Sequence, residues 1–485
     1  MKHFKLMIFL LISMVTTNVW AQQTLSFHNG MFKIAQFTDI HWDAKSDNCT
    51  KNRNTIIKVI QTEKPDIAIL TGDVVTAEPA EEGWKSIIQI FENEQLPFIV
   101  TLGNHDGEVI DKAKIYQILM TSPFYIGDRG PENVSGYGNF AIAVKGSKEN
   151  DRQPAAVLYC IDSNDYPKVK EYGTYDKINF DEIEWYRSLS DRFTQNNGGK
   201  PLPSLAFFHI PLVEYNEIVN NKNFLGSNDE ESICAAKINS GLFSSFIDQK
   251  DVMGAFCGHD HENDFIGMLY NIALAYGRIS GLDTYGKKDR GARIIQLYEG
   301  QRKFDTWIRT ANQCGDSFYY PSSISSKDER EMTYLPSKGV KPTKQGIHFD
   351  YFEGNFKQTD DILPAKKMKE GIMSNFSIKD AKQEDHFAYL FKSLIKIDKR
   401  GVYRFYTYSD DGSKLLIDGK VVVDNDGGHS AKRADGMVAL EAGYHDIELR
   451  YFEDYMGQSL EVGFSSKDIA ETVIPNNILF VPSVK

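Results

Sequence analysis

From residue 32 to about residue 307, short apolar runs alternate with stretches of helical period. The run at 32–37 reads as a strand. Residues 55–62 read as a helix with Ile56, Ile57 and Ile60 on one face, and 66–70 as strand again; 84–91 is helix and 98–100 strand. Runs at 155–161, 205–208 and 252–256 continue the series. Runs this apolar belong to strands buried on both faces, and their alternation with helices predicts an α/β domain.

The texture then changes. Residues 311–345 are rich in Ser, Lys, Pro and Gly with little periodicity and read as a linker or extended wrap. After Gly346 the pattern becomes period two: every second residue of 445–451 is apolar, as in a half-buried strand. Residues 414–417 and 420–423 flank Asp418-Gly419, a hairpin with a favoured two-residue turn. Several such strands predict an all-β sandwich. The expected organisation is a leader at 1–21, an α/β domain at 22–310, a linker at 311–345 and a sandwich at 346–485.

The leader rests on Lys2 and Lys5, an apolar run at 6–15, and Val19-Trp20-Ala21 before a cut at Gln22. That is the layout of a secretory signal peptide, too short to span a bilayer. It predicts export to the periplasm, the cell surface or the medium, with no membrane-spanning segment after cleavage. The composition, 41% hydrophobic and 25% charged, excludes a largely disordered chain and a multi-span membrane protein. A net charge of −12 argues against coating nucleic acid, although a metal ion would invert the local field for a phosphorylated substrate. Five cysteines leave at least one thiol unpaired; Cys160 and Cys257 end apolar runs and read as buried hydrophobes, and no C-x-x-C pair suggests a thiolate metal site.

Histidine placement carries the chemistry. Between Asn29 and Ile347 there are five: His41, His105, His209, His259 and His261. Each ends or follows an apolar run beside another metal-type ligand. Asp39-Ile40-His41 follows the first run, Gly72-Asp73 the second, Gly103-Asn104-His105-Asp106 the third; His209 ends its run and Gly258-His259-Asp260-His261 follows the last. One such residue alone is commonly a turn or a hydrogen-bonded core histidine. Five in this order, spaced by strand-helix-strand steps, converge at one sheet rim.

This series resembles the calcineurin-like metallophosphoesterase superfamily. The wider wording at 207–212 and 256–265 is similar to its purple-acid-phosphatase-related branch. The resemblance covers roughly residues 33–309. It implies two packed mixed β-sheets flanked by helices, and a dinuclear centre of divalent or mixed-valence ions (Fe, Zn or Mn). Carried over by motif, Asp39, His41 and His261 hold one ion, Asn104, His209 and His259 the other, and Asp73 bridges them. His105 is the implied general acid or charge stabiliser. Asp106 either orients His105 or caps a turn. One departure stands out: where coloured purple acid phosphatases carry a tyrosine three residues after the bridging aspartate, this chain has Thr76, so iron-tyrosinate colour is not expected. Arg278 either grips a phosphate oxygen or makes a structural ion pair.

The second domain resembles PA14 through residues 401–405, Ser409-Asp410-Asp411-Gly412-Ser413, Leu416-Ile417-Asp418-Gly419, Asn425-Asp426-Gly427-Gly428-His429 and Gly443-Tyr444-His445. In sugar-binding members the adjacent aspartates hold calcium that meets glycan hydroxyls, and Asp410 and Asp411 match that place; the same residues also serve as turn chemistry. The whole reads as an exported hydrolase of phosphate monoesters, acting by attack of a metal-bound hydroxide, with a module that docks on glycan. A phosphodiesterase on the same site and a non-catalytic, adhesin-like glycan binder are the alternatives.

Overall fold

The computed structural model describes residues 24–148, 153–228, 231–340, 342 and 344–481; the leader expected at 1–21 lies outside them. The first domain holds two mixed sheets. In one, β1 (Met31–Thr38), β2 (Ile67–Thr71) and β3 (Phe98–Thr101) run parallel. In the other, β4 (Pro154–Cys160), β5 (Ser204–Phe207), β6 (Val252–Cys257) and β7 (Ile272–Tyr276) run parallel. Strand β8 (Gly291–Tyr298) returns to the first sheet antiparallel to β1, with Ile34 opposite Ile295.

Side-chain alternation explains the layering. Along β1, Phe32 and Ile34 join the core between the sheets with Leu158, Leu205 and Phe256. Ala35 and Phe37 face the other way, under α1 (Cys49–Glu63) and α2 (Ala80–Asn93), where Ile56, Ile60, Trp84 and Phe91 pack. Helices Phe180–Asn196 and Leu242–Gln249 cover the outer face of the second sheet. Each buried Ile, Leu or Phe contributes roughly 1.5–3 kcal/mol. The two sheets therefore lie back to back, and the carboxyl ends of β1 to β3, β5 and β6 open on a shared rim. Cys160 and Cys257 are fully buried as expected, and none of the five cysteines is in a disulfide. No helix among the described residues is long and apolar enough to cross a membrane.

The second domain is a five-stranded and a seven-stranded sheet enclosing one core that includes Phe349, Tyr389, Phe405 and Leu449. Its expected hairpin is present: Ser413–Ile417 pairs with Lys420–Asn425, and Asp418 and Gly419 take φ of 48° and 78°, both in the left-handed region a type I′ turn needs.

Residues 311–345 differ from the linker expected. Phe318–Tyr320 and Ile324–Ser325 extend the first domain's sheet, and Tyr334–Leu335 pairs parallel with Lys432–Leu440 of the sandwich. Between them, helix Ser326–Glu331 starts on a capping box of Ser325 and Asp328. Tyr319 and Ile324 share a small core with Val402 and Ala439. Strands of two or three residues are too short to show a period, which is why the segment reads as irregular.

Candidate metal centre

Every candidate ligand sits where a parallel strand ends, and several are held in backbone conformations that L-residues rarely adopt. Asp39, His41, Asp73 and His259 have φ of 49°, 44°, 50° and 80°. Such strain persists only where surrounding contacts impose it. Here the loops lock one another: Asp39 N–H donates to Gly72 O, His41 N–H to Asp73 O, and Gly258 N–H to His209 O. The approach is close enough to require glycine. A Cβ on Gly103 would lie 2.2 Å from Asp73 Oδ1, and one on Gly258 would lie 1.9 Å from Thr38 Oγ1.

Two ligand groups result. The acceptor atoms of Asp39, His41 and His261 lie within 4.8 Å of one another, as do those of Asp73, His209 and His259. Asp73 joins them: its Oδ2 is 3.2 Å from His209 Nε2 and 3.8 Å from His41 Nε2. The far ring nitrogens are occupied. Nδ1 of His41 meets Thr76 Oγ1 at 3.1 Å, that of His209 meets Thr71 O at 2.9 Å, and that of His261 meets Tyr285 O at 3.1 Å. Partners of this kind fix ring orientation and aim Nε2 at the centre.

The electrostatics suit cations. Burial holds His41 down to about 4 and His259 down to about 3, so both imidazoles are neutral near pH 7 and offer a lone pair. His209 differs: burial opposes its charge, but Asp73 pushes it up to about 10. That proton occupies the gap between imidazole and carboxylate which a metal ion would fill, and metal uptake has to displace it. Burial also opposes charge on Asp39, yet the His261 hydrogen bond keeps it below its ordinary value. Two buried atoms of candidate ligands, His41 Nε2 and Asn104 Oδ1, have no hydrogen-bond partner. An unsatisfied buried polar atom costs about 1–3 kcal/mol, and a bound cation would remove that cost. Imidazole, carboxylate and amide donors fit Fe, Zn or Mn.

The calcineurin-like phosphoesterase family model matches residues 32–263, and the PA14 domain model matches 344–477. Over 311 residues the chain is 32% identical to a protein of Arabidopsis thaliana named probable inactive purple acid phosphatase 29, covering 58% of this chain and 80% of that one. The chain belongs to the calcineurin-like phosphoesterases. It is also 27% identical over 347 residues to phosphatase DCR2 of Saccharomyces cerevisiae, covering 64% of this chain and 59% of that relative. A solved dimetal phosphatase from Danio rerio is 9% identical, with a TM-score of 0.43 over 59% of this chain and 98% of that one.

Within this phosphoesterase, two readings that the sequence leaves open resolve to one alternative each. Asp106 does not orient His105. It is fully buried and accepts from the backbone N–H groups of Val74, Val75 and Gly103, tying the second and third ligand loops together. Burial and the nearby Asp73 push it up to about 7. The partner of His105 is Glu108, whose Oε2 lies 3.0 Å from Nδ1. Arg278 is committed to Asp264 at 2.6 Å, a structural ion pair. Glu108, Tyr166, Tyr175 and Tyr285 were not among the residues the sequence singled out. The spacing of His105 and Glu108 across one helical turn was the available signal for the first; the tyrosines lie in aperiodic loops.

In the PA14 domain, Asp410 and Asp411 stand with Glu453, carboxylate oxygens within 4.8 Å of one another. Asp411 also accepts from the N–H groups of His429 and Asp454, so it serves the turns as well. Glu453 is buried, and its Oε1 has no partner.

Proposed function

We propose that the phosphoesterase domain hydrolyses phosphate monoesters at a dinuclear centre. Asp39, His41 and His261 would hold one ion, Asn104, His209 and His259 the other, with Asp73 shared. The observation carrying this reading is that Asp73 Oδ2 is within reach of a histidine from each group. When bound, two such ions supply Lewis-acid activation of water and charge balance for the transferring phosphoryl group. The chain supplies the rest. His105 hydrogen-bonds Glu108 through Nδ1, leaving Nε2 to deliver a proton to the leaving oxygen. Its backbone N–H donates to Asp73 Oδ1 at 2.9 Å, fixing the acid relative to the shared ligand. Asn104 Nδ2 donates to Tyr166 OH at 3.1 Å, which fixes the amide and leaves its buried Oδ1 free to serve as a ligand.

The test is the purified protein stripped of metal and reloaded with Mn, Zn or Fe, assayed on paired aryl phosphate monoester and diester substrates. Metal-restored turnover favouring the monoester is expected. A diester preference would make it a phosphodiesterase, and no turnover with any metal would leave the non-catalytic reading, in line with the word "inactive" in the Arabidopsis relative's name.

For the second domain we infer a glycan-docking role that uses calcium at Asp410 and Asp411, with Glu453 as a third carboxylate. Oxygen-rich clusters suit this ion. Calcium-dependent retention on a glycan array is expected, lost in Asp410→Ala and Asp411→Ala; unchanged retention in both variants would end this reading.

A further inference from the structure

Aromatic rings stand against or close to the candidate ligand imidazoles, and the hydrolytic chemistry above gives their faces no role. Tyr285 lies face to face on His261, ring centroids 4.0 Å apart and planes 21° from parallel. At the other ligand group, Tyr175 meets His259 edge-on at 4.5 Å and stacks with Tyr166 at 6.2 Å. Tyr285 is 56% exposed and Tyr166 45%, so each offers open ring surface beside the ligands. Both hydroxyls are pinned, Tyr285 to Glu231 Oε1 at 2.5 Å and Tyr166 to Glu108 Oε1 at 2.8 Å. Rings fixed in this way lose little freedom when a ligand packs on them.

The anchoring carboxylates matter too. Glu108 and Glu231 place negative charge beside the rings, which disfavours a leaving group bearing further phosphates. Of the cations nearby, Arg278 is paired with Asp264 and Lys112 with Asp162 and Asp165, while Arg290 is held by the backbone carbonyls of Gly281, Gly286 and Lys288.

We propose, on the reading that this centre cleaves phosphate monoesters, that Tyr285 and Tyr166 flank the leaving group and determine specificity. They select esters in which a flat, uncharged ring is bonded directly to the ester oxygen, an aryl phosphate such as a phosphorylated tyrosine side chain. Position separates this class from nucleotides. A ring that touches a ligand imidazole meets the first group beyond the ester oxygen, whereas a nucleobase lies a sugar further out.

Calorimetric titration of the metal-loaded full chain with phenylphosphonate and with methylphosphonate reads this recognition without turnover. Phenylphosphonate is expected to bind about tenfold tighter, the upper end of what one aromatic contact supplies. Tyr285→Phe keeps that ratio, and Tyr285→Ala reduces it to about twofold or less while metal content and methylphosphonate affinity stay at wild type. A ratio near one in the wild type, or a ratio that survives Tyr285→Ala, overturns ring selection alone. Equal loss of both ligands in Tyr285→Ala makes Tyr285 a scaffold residue and overturns it as well. If neither phosphonate binds the loaded wild type, the monoesterase reading falls with it.

Discussion

Asp73→Ala is expected to lower turnover of the metal-loaded enzyme by at least roughly 10³-fold, because charge stabilisation by both ions depends on it. Bound metal should fall from two ions to at most one. The same change weakens the metal-free fold. Asp73 is the counter-charge of buried His209 and accepts the His105 N–H. Removing one partner of a buried pair leaves the other uncompensated, and about 3 kcal/mol of destabilisation is expected in a denaturant melt. Asp73→Asn keeps an acceptor for the His105 N–H while losing the charge. It should lose metal as Asp73→Ala does but recover part of the stability. Two metals retained in Asp73→Ala would remove Asp73 from the shared position.

His105→Ala should behave differently, with kcat falling about 10²- to 10⁴-fold and both metals kept. The backbone N–H that anchors Asp73 survives the substitution. Protonation matters most for poor leaving groups, so the loss should be larger for an alkyl phosphate than for a nitrophenyl phosphate. Glu108→Gln acts through His105 as a positioning residue and should cost about tenfold in kcat with the same leaving-group dependence and little change in KM. Full activity in His105→Ala on both substrates would show that solvent protonates the leaving oxygen.

The candidate ligands were legible because strand periodicity and ligand chemistry agree in this chain: Asp39, Asp73, Asn104, His209 and His259 each follow a buried run. The role of Asp106 stays open in the sequence, between orienting His105 and capping a turn, and the structure shows the second. Adjacency in sequence suggests that it touches His105, but these residues open a helical turn, where consecutive side chains point about 100° apart. Asp106 turns into the base of the site, and Glu108 comes round beside His105. Thr76 shows a similar limit. Its identity was read only as the absence of a tyrosine, while its hydroxyl meets the Nδ1 of His41. Tyr285 and Tyr166 come from loops without period, and only the folded chain brings them to the centre. In the sandwich, alternation exposed the strands and the Asp418-Gly419 turn, yet Glu453 carries no mark in sequence that separates it from the surface carboxylates beside it.

The stretch at 311–345 bears on how such a protein is taken apart or rebuilt. Cut after residue 310, the phosphoesterase-family half would present Phe304–Thr310 without its neighbour Phe318–Tyr320, an open sheet edge of the kind that pairs with another copy. Begun at residue 346, the sandwich would lack Tyr334–Leu335 from its sheet. The two halves are woven at the seam, and a gene fusion that swaps one for another module has to carry the weave along with it.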